Sequence, residues 1–493
     1  MPFKVKIKSL STGVPGLDDV LGGGLPELSF NLIAGPPGCG KTTLALQMMF
    51  HMATPERPAL YISVLGEPPL KMLRYQQQFD FFDSDMVNRS VHFMSLTDQT
   101  LMGDLDQVLQ HIAAEVKRLS AAYVILDSFR ALVRSSKDDD GASDGLPRFM
   151  QQLTMVMNSW QATTILIGEY AAETDANPVF AVADGLIWLR QVVLRNSMVR
   201  KLEVLKMRGQ ASLAGLYSFR ISTAGIRVFA PARIPIQAAG TETLAGPLSR
   251  VSVGVPMLDQ MLGGGLPRGY SLLVAGPSGS GKSVLATAFL EEGAKCGETG
   301  VLATFEPGPL PSRNAVLADL YKEGNLGVVD GRGADLSVDE ILHLLMAEIR
   351  ARKAQRVVID SLSGFELSLA PTYREDFREE MSRLANALAS TGVTILMTSE
   401  LEDRYIDLRF SPYGTAFLTD AIVVQRYIEL DSRLRRVMAV VKVRASAHSN
   451  ELREFSVEDG IIRVGEMLPA EEGLLGGRPT RKRASDLPAA VAH

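Results

Sequence analysis

The sequence predicts an α/β protein of two tandem domains, each a mostly parallel sheet flanked by helices with antiparallel strands at its edge. Three observations predict it. A glycine-rich octapeptide, Gly35-Pro36-Pro37-Gly38-Cys39-Gly40-Lys41-Thr42, returns 241 residues later as Gly276-Pro277-Ser278-Gly279-Ser280-Gly281-Lys282-Ser283. The lead-in returns at the same interval: residues 11–26, with Pro15, Asp18 and Gly22-Gly23-Gly24-Leu25-Pro26, are echoed by residues 252–267, with Pro256, Asp259 and Gly263-Gly264-Gly265-Leu266-Pro267. In each copy, strand-like runs alternate with helix-like stretches and then give way to consecutive strands. A repeat of this length duplicates a whole domain rather than a motif.

Residues 28–34 and 270–275 are apolar strand-like runs, the octapeptide follows, and helix-like stretches come next at 43–52 and 284–293. The pattern G-x-x-x-x-G-K-[ST] is a phosphate cradle. Its glycines let backbone N–H groups turn inward on phosphate oxygens, its lysine meets the β/γ-phosphates, and its hydroxyl residue holds Mg²⁺. A cradle that opens a helix adds the positive end of the helix dipole. One such match can arise by chance in a glycine-rich chain, but two in matching contexts count against chance. The nucleotide-contacting sets are therefore Gly35 to Lys41 with Thr42 and Thr43, and Gly276 to Lys282 with Ser283 and Val284.

Amphipathic stretches at 105–119 and 338–352 carry apolar residues at three- and four-residue spacing and read as helices. The apolar runs after them end in Asp127-Ser128 and Asp360-Ser361. A carboxylate at the end of a buried strand is placed to hold Mg²⁺ through water. Thr42 with Asp127, and Ser283 with Asp360, are the expected magnesium groups.

Hydrolysis needs in addition a group that orients the attacking water. In the second copy Glu306 closes the strand-like run 301–306, but the same interval places Leu65 at that position in the first. Leucine cannot polarise water. Glu67 lies two residues on and shares the strand face only if the strand persists that far; the alternative is a solvated glutamate in a Glu-Pro turn. The first site is expected to bind ATP and hydrolyse it slowly, the second to carry most turnover.

Late in each copy come Lys206-Met207-Arg208 and Lys442-Val443-Arg444. Side chains two apart on a strand share a face. That face is either merely solvated or presents a cationic pair to a neighbouring protomer's γ-phosphate. Strand-like runs at 185–190, 202–207 and 217–221, and at 422–430, 437–443 and 453–457, form the antiparallel edge. Asp184 and Asp420 open that region and are candidates for orienting its strands.

Together, the duplicated modules, the Gly-Gly-Gly-Leu-Pro lead-in, the Asp-Ser after the buried strand and the Lys-x-Arg pair resemble the KaiC family of double-domain clock ATPases, within the RecA-like superfamily. The resemblance covers roughly residues 8–465. It implies two tandem RecA-like P-loop domains in a double-stacked homohexameric ring, with ATP and Mg²⁺ at subunit interfaces. The cradle comes from one protomer and Lys206, Arg208, Lys442 and Arg444 from the next. It also implies that Glu306 matches the first of the family's two catalytic glutamates.

The chain departs from that pattern in two places. The family's Glu-Glu is Leu65-Gly66 in the first copy and Glu306-Pro307 in the second. The Ser-Thr pair that the family phosphorylates, anchored on Thr419-Asp420, falls on Ala416 and Phe417, neither of which accepts phosphate. Ser411, Thr415 and Thr419 keep a shifted Ser/Thr autokinase open as an alternative. A RecA- or RadA-like DNA-dependent ATPase is a second alternative, because fold and nucleotide chemistry are shared.

With 493 residues and 46% hydrophobic content the chain is long enough for two or three well-buried domains. A net charge of −5 argues against non-specific nucleic-acid binding. Two cysteines, Cys39 and Cys296, exclude a disulfide framework and fit a reducing cytoplasm. No metal-ligand cluster, export signal or membrane-length apolar run is present in the sequence. Domains are expected at 1–232 and 248–465, joined by a Pro/Gly-rich linker at 233–247. The tail at 466–493 is expected to be disordered and by default a solubilising end, the alternative being a docking end for a regulatory protein partner.

Overall fold

In a computed structural model the chain forms two compact units, Met1–Pro231 and Ala232–His493. The structure describes residues 7–64, 69–96, 105–128, 145–159, 161–170, 178–194, 197–231, 249–305, 314–332, 335–374, 377–401, 419–430 and 432–468. Leu65 to Glu67, the linker, Glu306 and Pro307, residues 411–417 and all but the first three residues of the expected tail lie outside these.

The first unit is built on a nine-stranded sheet. In spatial order its strands are Gly225–Val228, Leu216–Ser222, Ser197–Met207, Gly185–Leu194, Phe30–Gly35, Thr163–Glu169, Tyr123–Asp127, Ala59–Ser63 and Val91–Ser95. The second unit repeats this order: Ile461–Met467, Arg453–Glu458, Arg433–Val443, Ala421–Leu430, Ser271–Gly276, Thr394–Glu400, Arg356–Asp360, Gly300–Thr304 and Leu326–Asp330. Six strands in each sheet run parallel and three antiparallel. This is the predicted α/β architecture.

The central strands Phe30–Gly35 and Ser271–Gly276 are buried along their whole length, as expected of parallel strands covered on both faces. Alternate residues divide between two cores. Ile33, Tyr61, Ile125 and Ile167 meet Leu44, Ala45 and Met48 of helix Lys41–Met52. Leu32, Leu60, Val124 and Leu126 meet Val108, Ile112 and Val116 of helix Leu105–Leu119 and Leu153 of helix Gly145–Ser159. Helices Lys282–Lys295, Val338–Arg352 and Phe377–Ala389 repeat the layering in the second unit.

The long hairpin is where the fold exceeds the sequence expectation. Its first strand spans Gly185–Leu194 rather than stopping at 190. Gly185 lies beside Asn31 and Trp188 beside Ala34, so the strand runs six residues beyond its last pairing with the central strand.

Asp184 and Asp420 acquire a definite role. Asp184 Oδ2 accepts from the Phe30 amide at 3.1 Å, while its Oδ1 pairs with Arg208 at 3.2 Å. Asp420 Oδ2 accepts from the Ser271 amide at 3.0 Å and hydroxyl at 2.9 Å, and its Oδ1 pairs with Arg444 at 3.1 Å. Each aspartate fastens the start of the cradle strand to the arginine of the Lys-x-Arg pair.

The two units differ in an ion pair under the sheet. Arg356, 2% exposed, opens the strand that ends in Asp360; its Nε meets Glu298 at 2.6 Å, and its Nη1 donates to the carbonyls of Ser252 and Phe289 at 2.8 Å each. Burial opposes the charge on Glu298, but the hydrogen bonds from Arg356 and Arg268 outweigh it and hold the carboxyl below its usual range. In the first unit Tyr123 opens the equivalent strand, and the charges are exchanged: Glu27 stands in the place of Arg268 and Arg57 in that of Glu298, paired at 2.5 Å with Arg57 over the Tyr123 ring. Removing one partner of a buried pair strands the other. Arg356→Ala is expected to destabilise the second unit by about 3–5 kcal/mol, with partial recovery when Glu298→Gln is added, both read by denaturant unfolding.

Candidate functional site

Both cradles form where the sequence places them. The strand ends at Gly35 or Gly276, the loop turns over, and the helix begins on Lys41 or Lys282. Its cap residue is glycine in both units, Gly40 at φ 106° and Gly281 at φ 103°, a backbone region side chains rarely adopt. A methyl group on Gly35 would stand 2.2 Å from the carbonyl oxygen of Leu189, so the loop also needs glycine to pass the neighbouring strand.

The lysines curl back over their loops. Lys41 Nζ donates to the Pro36 carbonyl at 2.8 Å and lies 3.9 Å from Cys39 Sγ. Lys282 Nζ donates to the carbonyls of Gly276 and Pro277 at 2.8 Å each. Lys41 is only 6% exposed. A nearly buried ammonium folded over a loop that opens a helix suits an anion such as a phosphate. Cys39 itself is buried, and that burial raises its thiol above the ordinary range against the pull of Lys41. Thr43 and Val284 continue the helix behind the loop. Pro37, Gly38, Ser278 and Gly279 form the loop tip, and Ser280 turns inward to donate to Gln425 at 3.1 Å.

The expected magnesium groups of the first unit meet directly. Thr42 Oγ1 donates to Asp127 Oδ2 at 2.7 Å, and Tyr61 donates to the same oxygen at 2.6 Å. Burial pushes the Asp127 carboxyl above the usual range, while the two hydroxyl donors oppose that shift. A hydroxyl and a carboxylate at this separation form a hard-oxygen donor set, which fits Mg²⁺ held by one or two protein groups plus phosphate. In the second unit Asp360 takes its hydroxyl from Thr398 instead, and Ser283 is the second residue of the cradle helix.

Glu306 lies outside the described residues, and the strand leading to it stops at Thr304. The first unit's counterpart stops at Ser63, so the strand that would have carried Glu67 on its face ends four residues short. Two carboxylates that sequence reasoning passed over stand beside the cradles. Glu169 lies in register with Gly35, and Glu400 with Gly276, each closing its strand. The signal was available, an apolar strand ending in glutamate in both copies.

Lys206 and Arg208 are brought together at the end of the sheet away from their own cradle. Lys206 lies opposite Leu186, which pairs with Leu32, and Arg208 is held by Asp184 at the level of Phe30. From there to Gly35 is five residues of strand, about 17 Å. Lys442 and Arg444 are placed in the same way, with Lys442 Nζ donating to the Thr419 carbonyl at 2.7 Å. Thr419 is fully buried. Burial, and then the adjacent arginine, holds both lysines below the usual range. These pairs do not reach the phosphates of their own unit's cradle.

A second pair of arginines does border the cradle on the same chain. Arg200 lies close enough to Cys39 to affect its charge, and its Nε is buried with no hydrogen-bond partner among the described residues. Arg436 also has a buried Nε without such a partner, and it stacks on Tyr427, whose hydroxyl would be 3.2 Å from a methyl group on Gly279. Sequence reasoning missed them because an arginine on a long hairpin reads as a solvated one.

No described helix is long and apolar enough to cross a membrane. The family model for the KaiC ATPase matches residues 10–233 and again 251–468. Circadian clock oscillator protein KaiC from Picosynechococcus sp. (strain PCC 7002) is 26% identical over 489 residues, covering 96% of this chain and 93% of that protein. The protein of the same name from Rippkaea orientalis is 26% identical over 96% of this chain and 92% of its own length. That from Prochlorococcus marinus (strain SARG) is 25% identical over 98% of this chain and 97% of its own.

Proposed function

The chain belongs to the KaiC family of ATPases, and from that membership we propose that it works as a ring, a homohexamer whose nucleotide state acts as a switch. Its domains are 1–232 and 248–465, joined by a linker at 233–247, and ATP with Mg²⁺ sits at the seams between protomers. One observation carries this reading. Each Lys-x-Arg pair is built into the sheet end opposite its own cradle, held there by Asp184 or Asp420, which suits a partner subunit's phosphates and not its own.

Bound Mg²⁺–ATP supplies the γ-phosphoryl group that passes to water. The loop amides orient the phosphate oxygens, and Lys282 swings from the Gly276 and Pro277 carbonyls to the β/γ oxygens. Ser283 and Asp360 would provide the oxygens that hold Mg²⁺ in the second unit, and Thr42 and Asp127 those in the first. Glu306 accepts the proton of the attacking water, while Lys442 and Arg444 of the neighbouring protomer balance charge developing on the phosphoryl group. The first unit, with Leu65 where the second has Glu306, retains ATP and turns it over slowly.

Size-exclusion chromatography with light scattering tests the assembly. With Mg²⁺ and ATP the chain is expected to run as a species of six subunits, and after nucleotide is stripped with a chelator as smaller species. A monomer under both conditions contradicts the proposal.

A further inference from the structure

The two magnesium aspartates are held by different neighbours. In the first unit Asp127 Oδ2 accepts from Thr42 and from Tyr61, at 2.7 and 2.6 Å. Tyr61 stands on the strand beside Asp127, two residues before Ser63, which is in register with that aspartate. It is 2% exposed, with its ring 5.6 Å from that of Phe93. In the second unit Leu302, which has no hydroxyl to offer, occupies the position of Tyr61 among buried apolar residues. There Thr398 reaches Asp360 from the strand on the opposite side, and it donates to Oδ1 instead. The first unit has Ile167 at the place of Thr398.

We propose that Tyr61 is a positioning residue for the first unit's metal site, acting on Thr42 through Asp127. A hydroxyl that donates its proton to a carboxylate keeps its oxygen lone pairs for a cation. Thr42 does this only while Asp127 Oδ2 stays where the threonine can reach it. Tyr61, locked by packing and donating to the same oxygen, fixes that orientation in advance. The second unit, lacking the tyrosine, secures its aspartate from the other flank and by the other oxygen. Different tuning of magnesium hold follows, with the first unit retaining Mg²⁺–nucleotide more tightly than it would with a leucine at that position.

This rests on the reading that the first cradle binds Mg²⁺–ATP, and the experiment separates the two. The full chain carrying Lys282→Ala, which silences the second cradle, is titrated with an ATP bearing a ribose fluorophore, in excess Mg²⁺ and again in chelator. Tyr61→Phe in that background is expected to lose roughly tenfold of the affinity that Mg²⁺ adds, the scale of a hydrogen bond to a charged group, and to leave the affinity in chelator unchanged. Adding Ile167→Thr, which supplies a hydroxyl from the flank used by Thr398, is expected to restore part of the loss. Equal weakening with and without Mg²⁺, or no change in either, overturns the role of Tyr61. If the parent gains no affinity from Mg²⁺, the reading of the first site fails, and the inference falls with it.

Discussion

Lys282→Ala is expected to remove at least nine-tenths of the chain's ATP turnover, and Lys41→Ala to leave most of it in place. The two cradles are nearly superimposable in their chemistry: glycine caps in the left-handed region, lysines held by loop carbonyls and an aspartate closing the adjacent strand. Phosphate should therefore be gripped similarly at both, the difference in binding being confined to the neighbours of the magnesium aspartates. In turnover they are expected to part at the residue proposed to meet the attacking water, Glu306 in one copy and Leu65 in the other. A positioned general base contributes about 10²- to 10⁴-fold, so a site lacking one lags by at least that factor. Steady-state phosphate release from the two variants gives the split. Equal losses contradict the asymmetry, and Leu65→Glu in the Lys282→Ala background should recover measurable turnover if the missing carboxylate is the cause.

Arg444→Ala is expected to lower turnover on the order of 10³-fold, as loss of an arginine acting across a subunit boundary does, with Arg208→Ala costing far less because its seam contributes little. The effect should exceed that of Arg444→Lys, which keeps charge but loses the planar fork. Asp420 gives the arginine its place: the same carboxylate that holds Ser271 at the start of the cradle strand grips Arg444 at 3.1 Å. Asp184 and Asp420 thus tie each unit's cradle strand to the arginine proposed to serve a neighbouring seam. Native mass measurement must accompany the assay, so that a broken ring is distinguished from an intact ring with a dead seam.

Much of this architecture is legible in the amino-acid sequence. Glycine at fixed spacing announces the cradle because the loop combines left-handed backbone at Gly38, Gly40, Gly279 and Gly281 with close passage of neighbouring strands at Gly35 and Gly276, and the helices Leu105–Leu119 and Val338–Arg352 carry the bounds that their apolar spacing implies. What the sequence did not disclose depends on register between distant strands. Arg200 and Arg436 look like surface residues until the hairpin is seen to run past the central strand and along the cradle. Tyr61 is an ordinary strand residue until its hydroxyl is found on Asp127. The exchanged charges of Glu27–Arg57 and Arg268–Glu298 sit in plain view at a 241-residue interval, yet only their contact distances make them a pair. Asp184 and Asp420 were recognisable as recurring acids, but the arginine each one holds could be named only from three dimensions.

One protomer's cradle is proposed to be completed by the next protomer's Lys-x-Arg pair. Mixing full chains of Lys282→Ala with full chains of Arg444→Ala tests it most directly, since each is inactive at the second seam alone. Random co-assembly should regenerate roughly a quarter of the seams with an intact lysine on one side and an intact arginine on the other, and turnover should return in proportion. A mixture that assembles into rings yet stays as inactive as its components contradicts the account.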